Sequence, residues 1–171
     1  MDYFEVIKER RSVRAFQPTE VDEVLLQRIL QAAACAPSAG NLQAYEIYLV
    51  RSLELRQKLV QAALNQGFVA QAPVALVFCV HPQRSSPRYH QRGTRLYAPQ
   101  DAAIACTFAM LAATALGLGT VWVGAFNDDA VHQVIGAPPG IMPVAILSIG
   151  YPAEHPEPRK RRSLADLVHE V

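Results

Sequence analysis

From Ala102 to Asn127 the chain carries no charged side chain, and Asp101 and Asp128 close the stretch at either end. An uncharged run of this length must either cross a bilayer or be buried inside a domain. The order of residue types decides between the two. Alanine and threonine dominate the first part, Gly117 and Gly119 interrupt it, and β-branched residues follow. A buried helix turning into a buried strand is therefore expected, and no membrane span. A chain of 171 residues can bury roughly 70% of its unfolded surface around one core, so a single domain over 1–171 needs neither disulfides nor a structural metal.

Other periodic segments surround this run. Residues 2–11 read as a short helix ending in bases. Asp22 to Ala34 puts Leu25, Leu26, Ile29, Leu30 and Ala33 on one face, with Thr19 or Asp22 as the cap. The turn-rich segment CAPSAGNLQ (35–43) leads into an alternating strand, YEIYLV (45–50). Helical spacing returns over Leu53 to Asn65, and APVALVFCV (72–80) suits a strand buried on both faces. Residues 81–99 read as a loop. Beyond it come an alanine-rich helix over Gln100 to Leu116, a strand at 120–126, a short helix over Asp128 to Ile135 and an apolar strand at 143–152. This order implies a sheet covered by helices, and taken alone it leans towards parallel neighbours.

Charge and cysteine usage narrow the function classes. Sixteen Lys and Arg against fifteen Asp and Glu give a net charge of +1, which excludes nucleic-acid binding driven by overall charge. Cys35, Cys79 and Cys106 are odd in number and each lies in an apolar stretch, so they are expected as reduced core residues of a cytoplasmic protein. The N-terminus lacks the apolar centre of a signal peptide. The five histidines show no HxxxH or CxxC spacing, and no metal site is expected. There is no G-x-S-x-G, HExxH or GxxxxGK[ST] motif, so any reactive group belongs to a bound cofactor rather than to a side chain. The G-x-G at 117–119 follows a helix and precedes a strand, the reverse of the dinucleotide fingerprint.

Two basic clusters remain, Arg10, Arg11, Ser12 and Arg14 near the start and Arg159 to Ser163 near the end. Guanidinium forks with a hydroxyl match a phosphate, but the same residues also suit a helix C-terminus and a solvated tail. Between Leu55 and Gln100 there is no acid, while Arg56, Lys58, Arg84, Arg88, Arg92 and Arg95 supply six positive charges. That stretch is either a solvated loop or a flap that attracts anionic substrates or nucleotide phosphates. Ser38, Asn41 and Gln43, and likewise Asn65 and Gln66, could read the edge of a heteroaromatic ring or serve as ordinary turn residues. Gly124 and Ala125 leave backbone amides uncovered at the end of a strand.

The segments RRSVRAF, APSAGNLQ, APQDAAIACTFAMLAATALGLGTVWVGAF and PVAILSIGYPAE with its basic tail, in this order, resemble the FMN-dependent nitroreductase family, particularly its compact members. The resemblance implies a three-layer α+β fold with a mostly antiparallel sheet flanked by helices. It also implies a homodimer holding one FMN in each of two clefts between subunits. Arg10, Arg11, Ser12 and Arg14 would then meet the flavin phosphate and ring edge. Arg159 and Arg161 would close on the same phosphate. Pro37, Ser38, Ala39, Asn41 and Gln43 would come from the partner subunit. Asn65 and Gln66 would meet the flavin pyrimidine, and the backbone at Gly124 and Ala125 the flavin N5.

The implied activity is ping-pong oxidoreduction, in which NADH or NADPH reduces FMN and an electron-poor nitroaromatic or quinone reoxidises it, with no protein nucleophile or base. The same family resemblance leaves room for a relative that breaks carbon–halogen bonds or fragments flavin, and for a flavin carrier or sensor without turnover. Nucleic-acid binding through the RKRR tail is not expected. Ala44 and Tyr45 stand where many relatives have Pro-Trp, and residues 81–99 would replace the helical lid of larger members.

Overall fold

In a computed structural model describing residues 1–171, the chain runs α1 (Tyr3–Glu9), α2 (Glu23–Ala34), β1 (Tyr45–Val50), α3 (Leu53–Ala62), α4 (Phe68–Gln71), β2 (Val74–Val80), α5 (Pro82–Arg92), α6 (Ala98–Ala115), β3 (Gly119–Val123), α7 (Asp128–Ile135), β4 (Met142–Gly150) and α8 (Leu164–Leu167). The four strands form one sheet in the order β1-β2-β4-β3, and every neighbouring pair is antiparallel. The parallel lean of the element order is thus corrected. Strand β2 reads like a parallel-sheet strand because helices cover both of its faces, and burial fixes its composition whatever the direction of its neighbours.

Alternation along β2 divides the interior in two. Leu76 and Phe78 face a core shared with Leu26, Ile29 and Ala33 of α2 and with the small side chains of α6. Ala75, Val77 and Cys79 face a second core with Leu59, Val69 and Val131 of α3, α4 and α7. Sheet and two helical layers make the three-layer α+β arrangement.

Helix α6 lies in the first core because Ala98, Ala102, Ala105, Cys106, Ala109 and Ala113 bury completely. Its threonines hide their hydroxyls by bonding one turn back, Thr107 to Ala103 O at 2.9 Å and Thr114 to Met110 O at 3.0 Å. It ends in a left-handed turn at Gly117 (φ 79°), where the Leu118 N–H donates to Ala113 O at 2.9 Å and the Gly117 N–H to Thr114 O at 3.0 Å. The uncharged stretch is therefore a buried helix followed by a buried strand, and no helix is long and apolar enough to cross a membrane.

Two sequence expectations are overturned. Residues 81–99 are not a loop: α5 and a wider helical turn over Gly93–Tyr97 run directly into α6. The segment escapes pattern reading because Pro87 sits inside it and only Ser85 and Gly93 are buried between residues 82 and 97, so no apolar stripe marks the helix. Cys35 is exposed rather than in the core, since it forms the C-cap of α2 where the chain turns away. Cys79 and Cys106 are buried as expected.

Candidate functional site

The N-terminal basic segment is held in place by backbone pairing at its far end. Ser12 bridges Thr120 at the start of β3, and the Val13 N–H donates to Thr120 O at 2.9 Å. A second set of bonds ties the following residues to the chain leaving β4: Gln17 N–H to Tyr151 O and Ala153 N–H to Ala15 O, both at 2.9 Å. Glu154 adds a carboxylate that accepts the Arg14 N–H. The first and last segments of the chain are thus zipped together, and the basic tail beyond Pro156 must pass beside Arg10 to Arg14.

It does so around one cleft of about 480 Å³, lined by Arg10, Arg11, Ser12, Arg14, Arg159 and Arg161 together with Ile7, Lys8, the prolines at 156 and 158, and Glu157 as its one acid. Burial pulls the pKa of Arg10 below its ordinary value, and the nearby Arg161 and then Arg11 push it the same way. Like charges gathered in a partly dehydrated cleft cost free energy that a bound anion would recover. Arg11 also does what a cation at a helix end is expected to do, since its guanidinium donates to Lys8 O and Arg10 O behind α1. No signal in the sequence showed that the two clusters meet.

A second group of expected residues lies at the other end of β3. Gln66 donates to Ala63 O at 2.9 Å and to Ala125 O at 3.1 Å, which brings the 65–66 turn against Gly124 and Ala125. Leu64 and Asn65 both take positive φ (55° and 60°), uncommon for residues with a side chain and a mark of a turn fixed by its surroundings. Asn65, Gly124 and Ala125 are exposed. Phe68, next along the chain, joins this end to the arginine cleft, because the Arg14 guanidinium lies 5.9 Å from its ring centroid. From Ser12 beside Thr120 to Gly124 the strand rise gives roughly 13 Å.

The Pro37–Gln43 loop does not line the arginine cleft of its own chain. It packs at the N-terminal end of α6, where Asp101, only 2% exposed, accepts the Ala39 N–H at 2.9 Å and the Ala44 N–H at 3.3 Å. Ser38 Oγ accepts the Gln43 N–H at 3.0 Å, and Asn41 and Gln43 hold positive φ with their side chains bonded to one another. Arg84 of α5 clamps the same loop from outside, donating to Gln43 O at 3.2 Å and Tyr45 O at 2.7 Å. Sequence reasoning missed Asp101 and Phe68, and it read Arg84 as part of a flap for anions rather than as the clamp on this loop. For Asp101 a signal existed, since it is the first acid after the long acid-free stretch and stands next to an uncharged one. A larger groove of about 750 Å³ between α3 and α7 is lined by amides and aliphatic groups with Lys58 its one charge, and gathers no comparable chemistry.

The sequence model of the nitroreductase family matches residues 7–69 and 60–151, which include the first basic segment, the Pro37–Gln43 loop, Asn65 and Gly124. The chain belongs to the nitroreductase family. Among curated relatives, NADH dehydrogenase from Thermus thermophilus is 32% identical, over 93% of this chain and 91% of that protein. FMN reductase [NAD(P)H] from Bacillus subtilis is also 32% identical, over 92% of this chain and 70% of that one. Among solved structures, the NADPH:FMN oxidoreductase from Vibrio harveyi complexed with NAD+ superposes with a TM-score of 0.90 at 30% identity, covering 98% of this chain and 76% of that one. The chain therefore shares both its sheet and its two helical layers with solved members of the family.

Proposed function

We propose that the chain is an FMN-dependent NAD(P)H oxidoreductase that works as a homodimer, with a flavin bound in each of two clefts between subunits. The observation that carries this is the convergence of Arg10, Arg11, Ser12 and Arg14 with Arg159 and Arg161 on one cleft. The donor set fits the group: a phosphate monoester has nearly two negative charges and three acceptor oxygens, and guanidiniums with a hydroxyl answer both. The names of the relatives, FMN reductase [NAD(P)H] and NADPH:FMN oxidoreductase among them, support the same chemistry.

What FMN supplies when bound is acceptance of a hydride from NADH or NADPH and delivery of electrons to an electron-poor nitroaromatic or quinone. The protein's part is position and charge. Arg10, Ser12, Arg159 and Arg161 hold the phosphate, with Arg11 adding charge from behind. Arg14, laid over Phe68, and Asn65 present donors to the polar edge of the ring system, while Gln66, its amide hydrogens given to Ala63 O and Ala125 O, holds the turn that carries Asn65. Gly124 and Ala125, free of bulky side chains, let backbone amides approach the reacting face.

No general base is needed among these residues. The Pro37–Gln43 loop, outside its own chain's cleft, is supplied by the partner subunit. Tyr3 and Phe108, both exposed and lining an apolar groove of about 400 Å³, support a contact between copies, as do Phe4 and Ile7, exposed on the same helix as Tyr3. Three unpaired cysteines support a cytoplasmic location.

The test is anaerobic mixing of the flavin-loaded protein with NADH or NADPH. Loss of the flavin's visible band is expected with at least one of them. A yellow protein indifferent to both would leave a carrier or sensor, and sedimentation as a flavin-loaded monomer would remove the shared cleft.

A further inference from the structure

The segment from α5 to α6 carries three arginines that the flavin cleft does not use. Of its four, only Arg84 forms an ion pair, with Glu46 at 3.0 Å. Arg88, Arg92 and Arg95 are exposed and none is among the ion pairs of the molecule. A solvated cation would extend into water, but two of these do not. Arg88 Cζ lies 5.3 Å from the Tyr89 ring centroid and Arg92 Cζ 5.5 Å from that of Tyr97. The Arg92 Nε donates to the Tyr97 hydroxyl at 3.0 Å, and the two tyrosines stack edge to face at 5.0 Å. Each guanidinium is thus laid on one ring of the same aromatic pair, which lowers the entropy lost when an anion binds them.

The backbone is built to keep them there. His90 holds φ 50° and ψ −133°, a conformation costly for a residue with a side chain. The wide turn Gly93–Tyr97 follows, and a Cβ at Gly93 would stand 2.6 Å from Ser85 Oγ and 2.8 Å from Ser85 O, so only glycine lets the turn close on α5. The arginines also have an address. A Cβ at Gly40 would stand 2.6 Å from the Tyr89 hydroxyl and 2.8 Å from Arg88 Nη1, so Arg88 and Tyr89 rest on the Pro37–Gln43 loop.

From this arrangement we infer that Arg88 and Arg92 form a receptor for an oxyanion on the molecule that enters beside Asn41 and Gln43 to meet the flavin. The inference rests on the flavin reading given above. Its ligand chemistry is a phosphate or carboxylate, carried either by the nicotinamide nucleotide or by an anionic acceptor. A neutral acceptor would make no use of it.

Steady-state kinetics of Arg88→Ala, Arg92→Ala and the double variant, each with its FMN content measured, test this. Substrates are NADPH and NADH with benzoquinone, then 4-nitrobenzoate against nitrobenzene. Losing two charge-assisted contacts should raise KM for the anionic substrate by about tenfold to a hundredfold, with kcat and the KM for benzoquinone unchanged. A rise confined to the nucleotides assigns the site to their phosphates, with the larger rise for NADPH pointing to its extra phosphate. A rise confined to 4-nitrobenzoate assigns it to the acceptor. Arg88→Lys should restore part of the loss, since it returns the charge without the planar fork. Unchanged KM values in variants that keep FMN and are reduced by nucleotide would overturn the receptor and leave the flavin site standing. Failure of the unaltered protein to bind FMN would overturn both.

Discussion

Replacing Arg10 by alanine isolates the phosphate role from every other role of the cleft. Arg10 shares its cleft with Arg11 and Arg161, and burial, then Arg161, then Arg11 lower its pKa. A base whose charged form is disfavoured by folding weakens the fold, so its removal from the empty protein relieves repulsion. The flavin-free variant should therefore melt no lower than the parent. In the complex the same residue makes hydrogen bonds between two charged groups, worth about 1.5–3 kcal/mol, or roughly 10- to 150-fold in the FMN dissociation constant. Riboflavin has the same ring and ribityl chain without the phosphate. Its affinity should change by less than about twofold, since no charge-assisted bond is lost. The assay is flavin fluorescence quenching as flavin-free protein is titrated with each compound at one fixed ionic strength. An equal loss for FMN and riboflavin, or no loss for FMN, would refute the phosphate assignment, and a large drop in melting temperature would refute the repulsion.

Three further outcomes follow from buried groups. Asp101→Ala leaves the Ala39 and Ala44 amides without their acceptor and should lower stability by about 2–4 kcal/mol in urea unfolding, with Asp101→Asn losing less. Unchanged stability would mean the Pro37–Gln43 loop is held by other contacts. Gly150→Ala would set a Cβ 2.6 Å from Pro73 Cδ and 3.0 Å from Phe16 Cδ1, two rings with little room to move. A loss of about 1–3 kcal/mol in the same measurement is expected, and a neutral result would show that the N-terminal segment can shift away from β4. The Cys79 thiol is pushed up to about 12 by burial, with Glu46 adding to it, and burial also raises Cys106. Near pH 8 a disulfide reagent should therefore modify one thiol per native chain, the exposed Cys35, and all three after denaturation. Rapid reaction of a second thiol in the native protein would contradict the packing of the sheet.

The same physical distinction separates what was legible beforehand from what was not. Wherever burial imposes a period, the elements stand where the periodicity puts them: α2, the four strands, α6 and its glycine exit into β3. Asp22 caps α2 as its residue type promised, accepting the Val24 N–H at 2.7 Å. Where no apolar stripe exists, as along α5, a helix formed that the pattern does not show. The direction of the strands also stays hidden, because a strand covered on both faces has the same composition beside parallel or antiparallel neighbours.

For the site, the sequence determined which chemistry was available, namely two basic clusters, a loop of amides and hydroxyls, and no nucleophile. Only the tertiary structure decided that Arg10 and Arg161 share one cleft, because that meeting depends on Ala15 and Gln17 pairing with residues 151 to 153 across most of the chain. It likewise decided that Asp101 holds the Pro37–Gln43 loop and that Arg88 rests on it. Local sequence encodes local periodicity and side-chain chemistry. Contacts between residues far apart in the chain depend on every intervening turn, and only the complete fold specifies those together.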